Sequence, residues 1–291
     1  MNLVVGATGI LGSEICRQLI ADGRPTRALV RSTSNPARVS ELESLGVEIL
    51  TGDLKDPASL LPACQQVSAV VSTVSSTLSR QPGDSIEAVD GLGQLNLIDA
   101  AEAAQVKQFV FTSFPPIDID FPLQRAKRAA EDRLRSSRMV HTILQPTCFM
   151  EVWLGPMLGI DPANNRAQIY GDGTARTSWI SYEDVARFAV AALENPTAAN
   201  VTVRLGGPDA LSPLEVVRLV QQTIGTTMTV QRVPEDALRS QYETASDSLQ
   251  QSFAALMLYY AGGEVVDTAE ARRVFGITPS KSVRAMFQPV A

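Results

Sequence analysis

The sequence has few residues of the kinds that build metal centres or hydrolytic sites. Its 291 residues include one histidine and three cysteines. His141 alone cannot form a histidine cluster, and the chain has no Gly-x-Ser-x-Gly turn of the kind that presents a catalytic serine. Cys16, Cys64 and Cys148 lie far apart without the spacing of metal ligands, which predicts buried thiols in a reducing compartment. We therefore expect no metal site and no catalytic triad.

Long apolar runs and an excess of positive charge are also missing. No apolar segment approaches the roughly 20 residues that cross a bilayer. The chain has 25 Lys and Arg against 31 Asp and Glu, and its formal charge of −6 disfavours nucleic acids and anionic membranes as partners. The first predicted strand begins at residue 2 and leaves no room for a targeting peptide. We expect a cytoplasmic protein that acts on a small molecule; the sequence does not specify its oligomeric state.

A glycine-rich turn at the start of the chain is the most informative motif. Residues 2–5 are apolar and lead into Gly-x-x-Gly-x-x-Gly, after which apolar residues recur at helical spacing. In this strand–turn–helix context the glycines allow a tight turn, a close approach to a pyrophosphate and close helix packing. The N–H groups that begin the helix favour phosphate. An ordinary turn is the alternative. The predicted dinucleotide contacts are Gly6, Thr8, Gly9, Ile10, Leu11 and Gly12.

The order of the segments predicts an α/β fold. Short apolar strands alternate with longer helices as far as about residue 145, as in a parallel sheet built from βαβ units. Beyond that point the order ends and helices dominate. We predict a Rossmann-type doubly wound parallel sheet in an NAD(P)-binding domain over residues 1–150. A smaller, mostly helical substrate lobe is predicted over residues 151–291, with an unclean boundary, since a later strand can return to the main sheet.

The end of the second predicted strand favours NADP(H) over NAD(H). An acidic residue there binds the ribose 2′-hydroxyl of NAD, whereas a cation accommodates the 2′-phosphate of NADP. The strand ends at Arg31, and no Asp or Glu occurs between residues 23 and 40. Ser32 adds a hydroxyl, and Asp53 and Leu54 end the third strand where an adenine ring would lie. The alternatives are a solvated arginine and a simple turn.

Several segments resemble the atypical short-chain dehydrogenase/reductases, and in particular the NmrA-like branch with its isoflavone-reductase-like members. This resemblance covers nearly the whole chain and implies the Rossmann-type fold. The branch contains reductases and also proteins without catalytic activity, so the resemblance alone does not define the function. The similar segments are the glycine-rich turn, Leu29-Val30-Arg31, Gly52-Asp53-Leu54, Phe109-Val110-Phe111-Thr112-Ser113, Lys127 with Glu131, Thr142-Ile143-Leu144-Gln145-Pro146, Phe149-Met150-Glu151, Gly171-Asp172-Gly173, Ile180, and Asp184-Val185-Ala186.

The resemblance also implies an active site without its usual acid. Short-chain reductases carry Tyr-x-x-x-Lys on the helix after the fifth strand. Here Lys127 matches the lysine, whereas Leu123 stands at the tyrosine position. Lys127 is thus the candidate catalytic and cofactor-binding cation, and Ser113 is the second catalytic candidate. A solvated basic helix face is the alternative for Lys127.

Further candidates lie at strand ends and beyond residue 145. Ser72 and Thr73 end the fourth strand, where they can bind ribose or phosphate or simply terminate the strand. By the resemblance, Pro146 and Phe149 would lie beside the nicotinamide. The candidate substrate pocket, for which core packing is the alternative, consists of Phe114, Met150, Trp153 and Met157.

Three functions remain open at this point. The first is an NADPH-dependent reductase of a small, flat, electron-poor substrate such as a quinone or an enone, because such a reaction needs no base in place of the missing tyrosine. The second is a non-catalytic NADP(H)-binding redox sensor that acts through a protein partner. The third is an assembly or scaffold factor for which the nucleotide is only structural. All three need the same phosphate site.

Overall fold

A seven-stranded sheet is the centre of the fold. The computed structural model describes residues 1–79 and 81–288. The strands of this sheet are β1 (Asn2–Val5), β2 (Thr26–Val30), β3 (Glu48–Thr51), β4 (Ala69–Ser72), β5 (Gln108–Thr112), β6 (Val140–Pro146) and β10 (Val201–Leu205), and their spatial order is β10-β6-β5-β4-β1-β2-β3. Neighbouring strands from β1 to β6 pair in parallel. The predicted Rossmann-type doubly wound fold is therefore confirmed.

The strand order reverses between β1 and β4, which places a crevice at the carboxyl ends of these two strands. Both strands are fully buried, as an apolar strand covered by helices on both faces must be. The chain leaves β1 at Gly6 and β4 at Thr73. The loops that follow these strands therefore meet at the point where open α/β sheets bind ligands.

Helices connect the strands, and local sequence signals mark their starts. Asp56 caps a helix by accepting a hydrogen bond from the Ala58 N–H, and Pro57 occupies the first helical position. The helices are α1 (Ile10–Ala21), α2 (Pro36–Ser44), α3 (Pro57–Cys64), α4 (Gln94–Ala103), α5 (Pro122–Arg135), α6 (Met150–Trp153), α7 (Tyr182–Ala192), α8 (Pro213–Ile224), α9 (Glu235–Thr244), α10 (Ser248–Gly262), α11 (Ala269–Phe275) and α12 (Val283–Phe287).

One predicted helix differs in kind. The sequence predicts a continuous α-helix over residues 85–104, but Ile86–Gly93 is a π-helix and α4 begins only at Gln94. Apolar spacing does not distinguish the wider π turn from an α turn over so few residues, so the pattern could not show this. The difference matters because Asp90, in the π segment, is 1% exposed and lies beside the crevice loops.

The chain divides into two units. Unit 1 contains Met1–Phe114, Pro122–Gln145 and Val185–Val203, whereas unit 2 contains Pro115–Phe121, Pro146–Asp184 and residues 204–288. Segment 185–203 thus belongs to unit 1, although it follows the boundary expected near residue 150. The core of unit 1 packs leucine, valine and phenylalanine side chains of the sheet against α3, α4 and α5.

Unit 2 has its own core and two small sheets. Its core contains Trp179, Tyr170 and Tyr260, all at most 2% exposed, and the Tyr170 and Tyr260 rings meet edge to face with centroids 5.2 Å apart. The strands of its small sheets are β7 (Ile160–Asp161), β8 (Arg166–Tyr170), β9 (Thr177–Ser178), β11 (Ala210–Leu211) and β12 (Thr229–Val233). The order is β12-β8-β7 in one sheet and β11-β9 in the other.

Candidate nucleotide site

The glycines of the first turn are required by the space around them. Gly6 has φ +87°, and a Cβ there would lie 2.6 Å from the Thr73 Oγ1 atom. A Cβ on Gly12 would lie 2.2 Å from the Gly6 carbonyl oxygen, which is backbone and cannot rotate away. The motif thus lets α1 start directly against the β1 turn.

The start of α1 is open for an anion. Its N-cap is Gly9, which has no side chain to accept a hydrogen bond from the first turn. The first backbone N–H groups of a helix have no partner within the helix, and the dipole adds partial positive charge. Leu11 and Gly12 are buried, whereas the Ile10 side chain is 57% exposed. The backbone of this turn, not its side chains, is therefore suited to hold phosphate.

A cavity of about 410 Å³ lies at this turn within unit 1. Its lining includes a helix start that favours anions, a guanidinium and apolar walls. This combination fits a nucleotide that carries phosphate groups. Seven predicted residues line it, namely Gly6, Thr8, Gly9, Arg31, Asp53, Leu54 and Thr73. The other lining residues are Val5, Leu29, Ser34, Gly52, Val74, Ser75, Ser76, Leu78, Ser79, Gln81, Asp84 and Val89.

Asp84 is the most important of the residues that the sequence did not single out. Its carboxylate accepts hydrogen bonds from Arg31 Nη1 at 2.7 Å and from Lys55 Nζ at 2.6 Å, and also from the Ser79 hydroxyl. Burial by itself raises the pKa of Asp84, but the hydrogen bonds from Lys55, Ser79 and Arg31 outweigh it and lower the pKa to about 2. The carboxylate beside Arg31 thus comes from the loop after β4 and not from the residues after β2.

We expect Asp84 to make stability depend on pH in the acid range. Its folded-state pKa lies below the ordinary 3.8, so its contribution is complete above pH 4–5 and is lost as the pH falls towards 2. We expect about 1–2 kcal/mol, because Arg31 and Lys55 are partly exposed and screened. Urea unfolding between pH 5 and pH 2 measures this, with Asp84→Asn as the comparison. If the unfolding free energy changed equally with pH in both proteins, Asp84 would not be the source of the pH dependence.

Ser72 and Ser32, two further predicted cofactor ligands, lie outside the cavity lining. The Ser72 hydroxyl is buried and donates to Gln94 Oε1 at 2.8 Å, while Ser32 is exposed. Thr73 does line the cavity, and its hydroxyl donates to the Val5 carbonyl at 3.3 Å. At the end of β4, Thr73 and the residues after it therefore line the cavity, whereas Ser72 does not.

Lys127 is buried beneath the cavity wall. Its Nζ donates to the Val74 carbonyl at 3.0 Å and lies 3.5 Å from Asp90 Oδ1, and the side chain is only 6% exposed. Burial lowers the pKa of Lys127, and Asp90 opposes this shift. Asp90 in turn accepts from the Ser76 N–H and hydroxyl at 2.8 Å and 2.6 Å. Lys127 thus supports two lining residues, Val74 and Ser76, from behind.

Ser113, the second catalytic candidate, belongs to a buried network. Its hydroxyl donates to Glu131 Oε1 at 2.6 Å and accepts from Arg128 Nη2 at 3.0 Å. Arg128 also donates to the Phe114 carbonyl and lies over the Phe114 ring, 5.4 Å from its centroid. Leu123, at the position of the missing tyrosine, is 3% exposed. The polar atoms of Ser113 are therefore engaged with α5.

The remaining candidates lie in unit 2. Pro146 is buried, and the Phe149 ring stacks on Tyr182 with centroids 4.2 Å apart. Met150 and Trp153 are 2% and 9% exposed and belong to the unit 2 core, whereas Met157 is 81% exposed. Their assignment to a substrate pocket stays a prediction.

The described residues contain neither a candidate metal site nor a candidate membrane-spanning helix. Within residues 1–79 and 81–288, no three His, Cys, Asp or Glu side chains group so that they could hold a metal ion. In the same part of the chain, no helix is both long and apolar enough to span a membrane. The three cysteines are free and buried, and burial raises the pKa of Cys16 to about 12.

The chain is similar in sequence to reductases and to assembly factors. The NmrA-like family matches residues 2–282. The photosystem II assembly factor Ycf39 of Trieres chinensis is 30% identical, over 80% of this chain and 72% of that protein. The phenylcoumaran benzylic ether reductase IRL1 of Ginkgo biloba is 32% identical, over 80% and 78%.

A solved structure shows the same fold. The NADPH-dependent quinone oxidoreductase QOR2 of Escherichia coli, complexed with NADPH, has a TM-score of 0.77 with this chain at 22% identity. The match covers 99% of this chain and 98% of that chain.

Proposed function

The chain belongs to the NmrA-like family, and we propose that it is an NADP(H)-dependent reductase of a small, flat, electron-poor acceptor of the quinone or enone type. The observation that carries the proposal is the cavity in unit 1, where the open start of α1 and the Arg31 guanidinium line one space. A helix start and a guanidinium both favour phosphate, and NADPH offers a pyrophosphate and a 2′-phosphate. The solved relative that binds NADPH and reduces quinones supports the same reading.

The choice of acceptor follows from the missing acid. A bound NADPH would supply a hydride, which brings both electrons and one hydrogen to a quinone and leaves NADP⁺. One further proton, taken from water, then completes the hydroquinone. Leu123 offers no proton, and the Lys127 ammonium is held by Val74 and Asp90. Oxidation of an alcohol needs a positioned base, whereas a hydroquinone anion takes its proton from solvent. Lys127 and Ser113 are accordingly proposed as positioning residues.

Turnover with a panel of quinones and enones tests the proposal. We expect the purified protein to consume NADPH only when an acceptor is present, measured by the loss of NADPH absorbance. Arg31→Gln should raise KM for NADPH about tenfold or more with little change in kcat, because Arg31 is proposed to bind the 2′-phosphate and not the reacting atoms. Tight NADPH binding without turnover on any acceptor would contradict the reductase.

A non-catalytic NADP(H)-binding protein that acts through a partner is the second candidate. The buried Lys127–Asp90 pair and the leucine at position 123 favour it, and so does the 30% identity to an assembly factor. A redox sensor must bind its partner with different affinity in the NADPH and NADP⁺ states. Partner capture at equal nucleotide saturation measures this. A several-fold difference supports a sensor, and equal capture in both states leaves a structural role for the nucleotide.

A further inference from the structure

A carboxylate that lines the nucleotide cavity is already paired with two cations, Arg31, which also lines the cavity, and Lys55, which is not among the lining residues. Asp84 bridges Arg31 and Lys55, with one carboxylate oxygen on each, at 2.7 Å and 2.6 Å. The Asp84 side chain is 2% exposed, whereas those of Arg31 and Lys55 are 31% and 26% exposed. The anion is therefore enclosed, and both cations keep surface open to an arriving ligand.

Neutral contacts hold the segment that carries Asp84. Gln81 Nε2 donates to the Thr33 carbonyl at 3.1 Å, and the Thr33 hydroxyl donates to Gln81 Oε1. These bonds join segment 81–84 to the loop after β2, which also contains Arg31. The position of the carboxylate thus depends on these bonds as well as on its ion pairs.

We propose that Asp84 is a specificity-determining residue of the nucleotide site, an internal anion that competes with the 2′-phosphate of NADP(H) for Arg31. The inference rests on the proposed nucleotide site. Arg31 and Lys55 carry two positive charges. Asp84 cancels one of them and Asp53, whose carboxylate lies 3.8 Å from Lys55 Nζ, offsets part of the other, so a 2′-phosphate meets a largely neutralised site and a like charge beside it. The ribose hydroxyl of NAD(H) brings no such repulsion. Asp84 therefore lowers the affinity for NADP(H) relative to NAD(H) below the level that Arg31 alone would create.

Two adenosine fragments isolate this effect without any turnover. Adenosine 2′,5′-bisphosphate carries the 2′-phosphate, and 5′-AMP lacks it. In calorimetric titrations we expect Asp84→Asn to bind the bisphosphate about tenfold more tightly than the wild type, with the affinity for 5′-AMP changed less than about twofold. Asp22→Asn removes the same charge from an exposed position at the far end of α1, and should change neither affinity.

Thr33→Val provides a second variant that keeps every charge. It removes the hydroxyl that bonds Gln81, and Thr33 is exposed, so folding is not at risk. With segment 81–84 held less firmly, the bisphosphate should displace Asp84 more easily, and we expect about threefold tighter binding with unchanged 5′-AMP affinity. If Asp84→Asn does not fold, Thr33→Val still tests whether Asp84 competes with the 2′-phosphate.

The remaining outcomes separate this inference from the proposed function. An unchanged ratio of the two affinities in both variants overturns the competition. Weaker 5′-AMP binding by Asp84→Asn also overturns it, because Asp84 would then be a hydroxyl acceptor for the ribose. If neither fragment binds the wild type, the inference and the proposed function fail together. If the ratio of the two affinities shifts as predicted but no quinone is reduced, the result supports the inference and contradicts only the proposed reductase activity.

Discussion

Replacing Gly12 by alanine is expected to abolish nucleotide binding and to destabilise unit 1. The new methyl group would lie 2.2 Å from the Gly6 oxygen, 2.7 Å from the Gly6 carbonyl carbon and 2.8 Å from the Ala7 Cα atom. All three atoms are backbone, so α1 must move away from the turn that precedes it. Overpacking of this kind costs about 1–3 kcal/mol or more, and the displaced N–H groups would no longer point towards the phosphates.

Calorimetry with NADPH and urea unfolding measure the two effects of Gly12→Ala. We expect at least about a hundredfold loss of affinity, since the phosphate contacts and the turn are both displaced. Gly262→Ala is the matched control, because a Cβ there would meet nothing within 4 Å. It should leave NADPH affinity unchanged. Wild-type affinity in Gly12→Ala would show that the nucleotide does not bind at the start of α1.

The sheet could be predicted from local sequence because its signals are short-range. An apolar strand and three glycines at fixed spacing define the β1–α1 turn, and the close approach of Gly12 to Gly6 explains why no larger residue stands there. The Asp56-Pro57 start of α3 is likewise contained in adjacent residues. Such elements need no knowledge of the rest of the chain.

Asp84 could not be predicted because its partners are distant in sequence. It lies 53 residues from Arg31 and 29 from Lys55, in a loop with no regular pattern. The dinucleotide motif places its acidic residue directly after β2, whereas the carboxylate beside Arg31 comes from the loop after β4. A strand order with β1 between β2 and β4 is what brings both loops to the same crevice.

The same reason applies to Lys127. The sequence leaves a solvated basic helix face open for Lys127, but its side chain is only 6% exposed and its ammonium lies beside Asp90 of the π segment. A π turn leaves no trace in the apolar pattern, so neither the ion pair nor the contact with Val74 could be inferred. Side-chain roles that depend on two distant elements need the folded structure.

Replacing Lys127 by methionine is expected to destabilise the protein by about 3–5 kcal/mol, because it leaves the Asp90 carboxylate buried without its cation. Both side chains are enclosed, at 6% and 0% exposure. Lys127→Met/Asp90→Asn should recover most of this loss, since the amide is neutral and keeps an oxygen to accept from Ser76. Urea unfolding of the wild type, both single variants and the double variant gives the coupling energy.

Lys281→Met is the control for the loss of a lysine. Lys281 pairs with Glu183 at 3.0 Å, but the two side chains are 46% and 44% exposed, so less than about 1 kcal/mol is expected. An equally small cost for Lys127→Met would mean that Asp90 does not need the ammonium. The double variant then distinguishes a positioning role of Lys127 from a catalytic one. If it folds, binds NADPH and still reduces a quinone, the Lys127 ammonium positions the cavity wall at Val74 and takes no part in the reaction.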